Sequence, residues 1–311
     1  MIKSYMPNGT PIFYASNWIE SICYMHKEHY DKYPENVFCI NTSIEDMTEI
    51  LKEKTNGRKL IYVNLEHKCP IDETGNLKYC SQYWTNVFNQ MNNMYFDEVW
   101  DFQIENIEYF KFHNLAHKYK FRPLRYTSWF DKYKTNDTSE FDIQIECVFD
   151  TNTRVWMINQ LTNEPARVVN NKIERLDNGE RISVNITNTS NSDTKFTAKN
   201  LCKYGIDMPH YDTPCTMNCT RIYEYICMNK PVIVWDRDKI TSKEYFKDLC
   251  VYVEDFNTWN MKTETMKEPR RDVADAYKAM TYSDADYDNY RKAIIEDYEK
   301  RTGNIIPDSV M

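Results

Sequence analysis

Groups able to do chemistry cluster most densely between Thr216 and Val234. Thr216-Met217-Asn218-Cys219-Thr220 is a short polar turn, and Arg221 and Glu224 follow on a segment, Thr220 to Met228, that reads as a helix. A tight turn and the buried strand Pro231-Val232-Ile233-Val234-Trp235 come next. A helix N-terminus presents N–H groups without intrahelical partners and the positive end of the dipole, so the turn Thr216 to Thr220 suits a diphosphate. Arg221, in the first turn, can add a bidentate phosphate contact.

A second concentration lies in the first half. Asn64-Leu65-Glu66-His67 ends the strongest apolar run of the chain. A hydroxyl that attacks an electrophilic carbon must lose its proton, and Glu66 or His67 is a suitable general base. Asp101, at the end of Val99-Trp100-Asp101, competes for that role, and capping or a surface ion pair is the other use for Glu66 and Asp101. From Lys111 to Phe130 the chain carries Lys111, Lys118, Lys120, Arg122 and Arg125 with no acid, interleaved with Tyr119, Phe121, Tyr126 and Trp129. Cations alternating with aromatics suit phosphate contacts and base stacking, and so a nucleic-acid acceptor. The other reading is that these cations simply flank a buried strand. Metal-ligand spacing is poor: Cys215, Cys219 and His210 lack a second cysteine pair, so no metal is expected.

These residues must be positioned by elements that the hydrophobic pattern outlines. Strands are expected at Ile12–Ala15, Val37–Ile40, Leu60–Leu65, Asp97–Phe102 and Lys120–Tyr126, with helices between them. Gly57 is expected to end one of those helices as a left-handed stop. That alternation predicts a doubly wound, mostly parallel sheet. After a polar linker from Lys132 to Phe141 it begins again, with strands at Phe141–Phe149, Ile182–Ile186, Pro231–Trp235 and Cys250–Val253. Asp284 to Arg301 reads as a charged amphipathic helix. The expected fold class is α/β, with two Rossmann-like domains facing across a cleft. The boundaries expected are 1–130 for an acceptor-side domain, 141–275 for a donor-side domain, and 276–311 for a C-terminal helix packing back across both.

Composition removes whole classes. Only 6 of 311 residues are glycine, where roughly 20 is ordinary. No two are close, which excludes the dinucleotide fingerprint, the Walker A loop and the G-x-S-x-G elbow. The net charge of −8 argues against a general nucleic-acid coat while leaving room for a local basic face. No run is apolar enough to span a membrane. The N-terminal residues lack a secretion signal, so the ten cysteines are expected as reduced thiols of a cytoplasmic protein. The surplus of Asn, Lys, Ile and Tyr resembles A+T-biased coding, as in many phages.

The stretch from Thr216 to Val234 resembles the nucleotide-sugar site of GT-B glycosyltransferases. There a glutamate seven residues before the proline of a Pro-Val-Ile strand binds the donor ribose, and Glu224 stands seven before Pro231. A carboxylate accepts from two vicinal hydroxyls at once. The segments Phe96 to Asn106 and Phe121-Arg122-Pro123-Leu124 are similar to the end of the N-terminal domain in the same family. The resemblance implies a UDP-sugar co-substrate, no further cofactor, and a hexosyl- or pentosyltransferase. It also implies a donor-phosphate or surface role for Arg154 and a nucleobase contact near Asn188. Retaining members often carry a second glutamate eight residues before the first. Here that position is Thr216, which favours inversion. The family's glycine before the proline is replaced by Asn229-Lys230. An acceptor in double-stranded DNA, such as a hydroxymethylated pyrimidine, fits the basic stretch and would have to be flipped from the helix. The competing class is a non-catalytic protein that binds a nucleotide or partner in a two-domain cleft.

Overall fold

The computed structural model describes residues 2–6, 8–14, 20–40, 47–65, 72–74, 95–134, 139–146, 167–169, 172–177, 180–187, 191–207, 219–235, 246–253 and 270–311. The chain divides into two units, Met1–Leu124 with Asp288–Met311, and Arg125–Tyr287.

The first unit is built on a six-stranded sheet of β1 (Ile2–Tyr5), β2 (Pro11–Tyr14), β3 (Asn36–Ile40), β4 (Lys59–Asn64), β5 (Glu98–Asp101) and β6 (Tyr119–Phe121), in that spatial order. β1 is antiparallel to β2, and the other neighbours are parallel. Its helices are α1 (Glu20–Met25), α2 (Lys27–Lys32), α3 (Met47–Thr55) and α4 (Ile107–Phe112). Leu60, Ile61, Tyr62 and Val63 are all buried, so both faces of β4 are covered, as its unbroken apolar run requires. Gly57 ends α3 at φ +81°, and the Arg58 N–H donates back to the Glu53 carbonyl. One expectation is corrected in this sheet. Each parallel strand lies beside the next in sequence, so the described strands lack the order reversal of a doubly wound sheet.

The second unit holds that reversal. Its seven strands are β7 (Phe141–Glu146), β8 (Arg167–Val169), β9 (Lys172–Asp177), β10 (Glu180–Thr187), β11 (Cys202–Asp207), β12 (Val232–Trp235) and β13 (Cys250–Val253). The spatial order is β13-β12-β11-β7-β10-β9-β8. β8 to β10 form an antiparallel meander, while β10, β7, β11, β12 and β13 are parallel. The chain leaves β7 toward β10, then returns through α5 (Ser192–Asn200) to β11 on the other flank of β7. α6 (Cys219–Cys227) joins β11 to β12, and α7 (Val273–Thr281) packs on α6. α8 (Asp284–Thr302) follows, its residues from Asp288 onward belonging to the first unit.

α6 is buried on every side from Ile222 to Cys227. Tyr223 meets Phe246 and Tyr277, at 5.1 and 5.7 Å between ring centroids. Tyr225 points to the sheet, where its hydroxyl donates to the Gln144 carbonyl at 3.3 Å. Gly205 in β11 makes that approach possible, because a Cβ there would lie 2.6 Å from the Tyr225 ring. Scarce glycine is thus retained where a backbone must accept a ring.

Among the described residues no helix is long and apolar enough to cross a membrane. Cys23, Cys39, Cys202, Cys227 and Cys250 are buried and form no disulfide. Burial pushes the Cys202 and Cys227 thiols up to about 12, which makes them packing groups rather than nucleophiles.

Candidate functional site

In open α/β sheets ligands sit beyond the carboxyl ends of the strands, where neighbouring connections leave in opposite directions. In the second unit that point lies between β7 and β11, and Glu146 and Asp207 are the last residues of those strands. α6, with Thr220 and Arg221 in its first turn, follows β11 in the chain and leads to β12, the parallel neighbour of β11. Thr220 is buried and Arg221 half-buried. Thr216, Asn218, Arg154 and Asn188 lie outside the described residues.

Glu224 is one turn further along α6, and the structure does not turn it toward solvent. Only 1% of its side chain is exposed, and two ammonium groups from α5 hold it. Lys195 Nζ lies 3.1 Å from Oε1 and 3.0 Å from Oε2, and Lys199 also donates to Oε2. The same two lysines hold Glu146, Lys195 at 3.1 Å and Lys199 at 2.7 Å. Lys195 and Lys199 are four residues apart, so one face of α5 presents both. The result is a buried cluster of two carboxylates and two ammonium groups beneath the strand ends. Burying four charges is costly, and mutual pairing offsets that cost; removing a single partner leaves a charge uncompensated.

The cluster shifts its members in different directions: at Lys199 burial outweighs the charges of Glu146 and Glu224 and lowers the pKa. Burial by itself would raise the Glu146 carboxyl, but the positive charges of Lys199, Lys195 and Arg221 overcome it and hold it down at about 2. Burial likewise opposes the charged form of Lys195, and the charges of Glu224 and Glu146 outweigh it and raise its pKa. Arg221 adds a further positive charge that reaches Glu146, in keeping with an anion near the start of α6.

Behind α6 the chain turns through Asn229, at φ +62°. The Lys230 N–H donates to the Tyr225 carbonyl at 2.9 Å and the Asn229 N–H to that of Ile226 at 2.9 Å, a Schellman termination. Asparagine tolerates the left-handed conformation that glycine usually supplies. It also does what glycine cannot: Nδ2 donates to the Arg271 carbonyl at 2.5 Å, and Oδ1 accepts from the Ala274 N–H at 3.2 Å.

In the first unit, Asp101 is 1% exposed and holds strand ends together. It accepts from Asn64 Nδ2 at 2.7 Å, from the Gln103 N–H at 2.9 Å and from Asn106 Nδ2 at 3.0 and 3.2 Å. As a base it would have to surrender those bonds and reach solvent, so its geometry is that of a structural carboxylate. Glu66 and His67, which follow β4 in the chain, lie outside the described residues.

The basic stretch is also tied into its own surroundings. Lys118 donates to the Phe96 carbonyl at 2.9 Å, Lys120 to those of Ser309 and Met311, and Arg122 to that of Phe121 at 3.2 Å. Burial lowers the pKa of both Lys118 and Lys120. Arg125 pairs with Asp284 at 2.8 Å and lies 3.9 Å over the Tyr287 ring, and Lys111 pairs with Glu108 at 3.3 Å. Tyr119 and Phe121 are buried, which removes them from any base-stacking surface.

Two functional candidates escape a reading of the sequence: the pair Lys195 and Lys199, and Glu146. Lysine is seldom buried, so α5 shows no apolar stripe, and four-residue spacing is the only signal it carries. Among the described residues no group of three or more His, Cys, Asp or Glu side chains could hold a metal ion.

The fold and this cluster define an α/β protein of two units, one of them with a strand-order reversal beside a buried charge cluster. No family model matches the chain, and no curated protein matches it. Solved structures similar to it include sucrose-phosphate synthase from Thermosynechococcus elongatus, 12% identical over 89% of this chain and 74% of that one, with a TM-score of 0.43. T4 phage BGT in complex with UDP and Mn2+ is 11% identical over 83% of this chain and 82% of that one, with a TM-score of 0.39. These are similarities of chain path at low sequence identity.

Proposed function

We propose that this chain is a nucleotide-sugar-dependent glycosyltransferase, a hexosyl- or pentosyltransferase, whose second unit binds the donor. The observation that carries the reading is the arrangement at the β7/β11 reversal, where Arg221 and the start of α6 lie beside a carboxylate held ionised. That combination suits a diphosphate and a hydroxyl-bearing ribose at neighbouring positions. A UDP-sugar is the proposed co-substrate. In this reading Thr216, Asn218 and Thr220 line the diphosphate with Arg221, Arg154 adds a second cation, and Asn188 meets the base. Glu224 belongs to the carboxylate group that serves the ribose. The threonine at 216 supports inversion.

For the acceptor hydroxyl, Glu66 or His67 is the proposed base, since Asp101 is buried and hydrogen-bonded. A hydroxymethylated pyrimidine of double-stranded DNA is the proposed acceptor, supported by the cations Lys118, Lys120, Arg122 and Arg125. The partners in their own unit described above count against it, so the acceptor needs its own test.

Donor binding is tested by thermal shift with UDP, GDP and their sugars. A ligand at 100 times its Kd stabilises by about 2.7 kcal/mol, a readily measured rise in Tm. No stabilisation by any nucleotide would remove the enzyme reading. The acceptor is tested by product mass after incubating the protein with mixed nucleotide sugars and hydroxymethylcytosine DNA. A mass increase of one sugar on the DNA is expected. Sugar released only to water, with DNA binding unmeasurable at low salt, eliminates the DNA acceptor.

A further inference from the structure

The carboxylate offered to the nucleoside is a separate question from whether a nucleotide binds, and the buried cluster answers it. Glu146 and Glu224 share the same two lysines, yet they differ in position and exposure. Glu146 ends β7, the strand at which the sheet order reverses, and 14% of its side chain is exposed. Glu224 sits on α6 with 1% exposed. A ligand arriving at the strand ends meets the strand residue first, and ordering it requires no movement of the lysines behind.

We propose that Glu146, rather than Glu224, accepts the vicinal hydroxyls of the nucleoside, and that Lys195, Lys199 and Glu224 are positioning residues that hold its carboxylate in place. The assignment rests on the donor reading above. Its chemistry is simple: a carboxylate has lone pairs beyond those used by two ammonium donors, and two adjacent ribose hydroxyls can donate to them. Because Lys195 and Lys199 are locked by Glu224 on one side, they cannot follow a shifted Glu146, so its orientation is set before a ligand arrives.

The experiment compares UDP and GDP with their 2′-deoxy counterparts by calorimetry at neutral pH, in the full chain and in variants. The unmodified protein is expected to prefer the ribonucleotide about tenfold, the scale of one hydrogen bond to a charged group. Glu146→Gln should weaken the ribonucleotide by about that factor and leave the deoxynucleotide nearly unchanged, so the preference collapses. Glu146→Asp, which keeps the charge and shortens the reach, should fold even if the glutamine variant does not, and should lose the preference too. Glu224→Gln, which loosens the lysines that hold Glu146, should lower the melting temperature and narrow the preference without abolishing it. A preference that survives in both Glu146 variants, or that collapses in Glu224→Gln alone, overturns the assignment and leaves the donor reading intact. An unmodified chain that binds neither nucleotide overturns both.

Discussion

Glu146 shows how a single group links the site to stability. Its carboxyl is held at about 2 by Lys199, Lys195 and Arg221 against the opposing effect of burial, whereas an unfolded glutamate titrates near 4.3. A folded pKa below the unfolded one means the native state is favoured by ionisation. That contribution is complete above about pH 5 and is lost as pH falls toward about 2. At 1.36 kcal/mol per unit it amounts to roughly 3 kcal/mol. Glu146→Gln removes the titration, so its urea midpoint should fall below that of the unmodified chain at pH 7. The gap should close progressively as pH drops through 4 to 2. A gap of constant size across that range would mean that lost packing, and not charge, accounts for the variant.

At the scale of elements, the junction between α6 and α7 depends on Asn229. Its left-handed backbone closes α6, and its side chain supplies the cap that α7 lacks, since Asp272 makes no side-chain bond there. Asn229→Gly keeps the backbone geometry and loses the cap, a cost of about 1 kcal/mol. Asn229→Ala loses the cap and also strains the turn, for about 2 kcal/mol in all. Chemical denaturation should therefore rank the unmodified chain above glycine and glycine above alanine. Glycine proving the most stable would show that the side-chain bonds contribute nothing. The same junction shows what was legible beforehand. α6, its stop and β12 stand out in the sequence because a polar turn, an apolar helix and a proline-led strand succeed one another. The strands β2 to β5 fall on the expected runs, whereas the strand expected at Lys120–Tyr126 is only Tyr119–Phe121, which ends two residues before Pro123, a residue with no N–H for a ladder. α5 and β11 do not stand out. The buried face of α5 includes Lys195 and Lys199, and β11 has Gly205 in its middle, so tertiary pairing overrides the local pattern in both. The basic stretch misled for a related reason. It contains no acid itself, but Glu108 lies one helical turn before Lys111, and Asp284 is brought to Arg125 in space.

On the scale of the whole molecule, the first unit is discontinuous, and its integrity depends on residues such as Arg291, 170 positions beyond the end of its last strand. From Asp288 onward α8 belongs to it. Arg291 Nε donates to the Phe121 carbonyl on edge strand β6 at 2.9 Å, and the Tyr298 hydroxyl donates to Glu108 at 2.9 Å. Ile294 is fully buried and Tyr298 nearly so. Ile294→Ala should cost about 2–5 kcal/mol, the range for deleting a buried aliphatic side chain. Amide hydrogen exchange can locate the loss, because protection reports the opening energy of each cooperative segment. Reduced protection is expected at β3, β4 and β5, with β7, β11 and β12 unchanged. The effect would then follow the division into two units rather than the nearness of residue 294 to the second unit in sequence. Equal loss in both sheets would instead mean that the chain unfolds as one cooperative body. Ligand binding would then have to be judged against global stability. If the loss is confined to the first sheet, the nucleotide binding proposed for the second unit should survive Ile294→Ala unchanged, and it can then be measured in a chain whose first unit has been weakened.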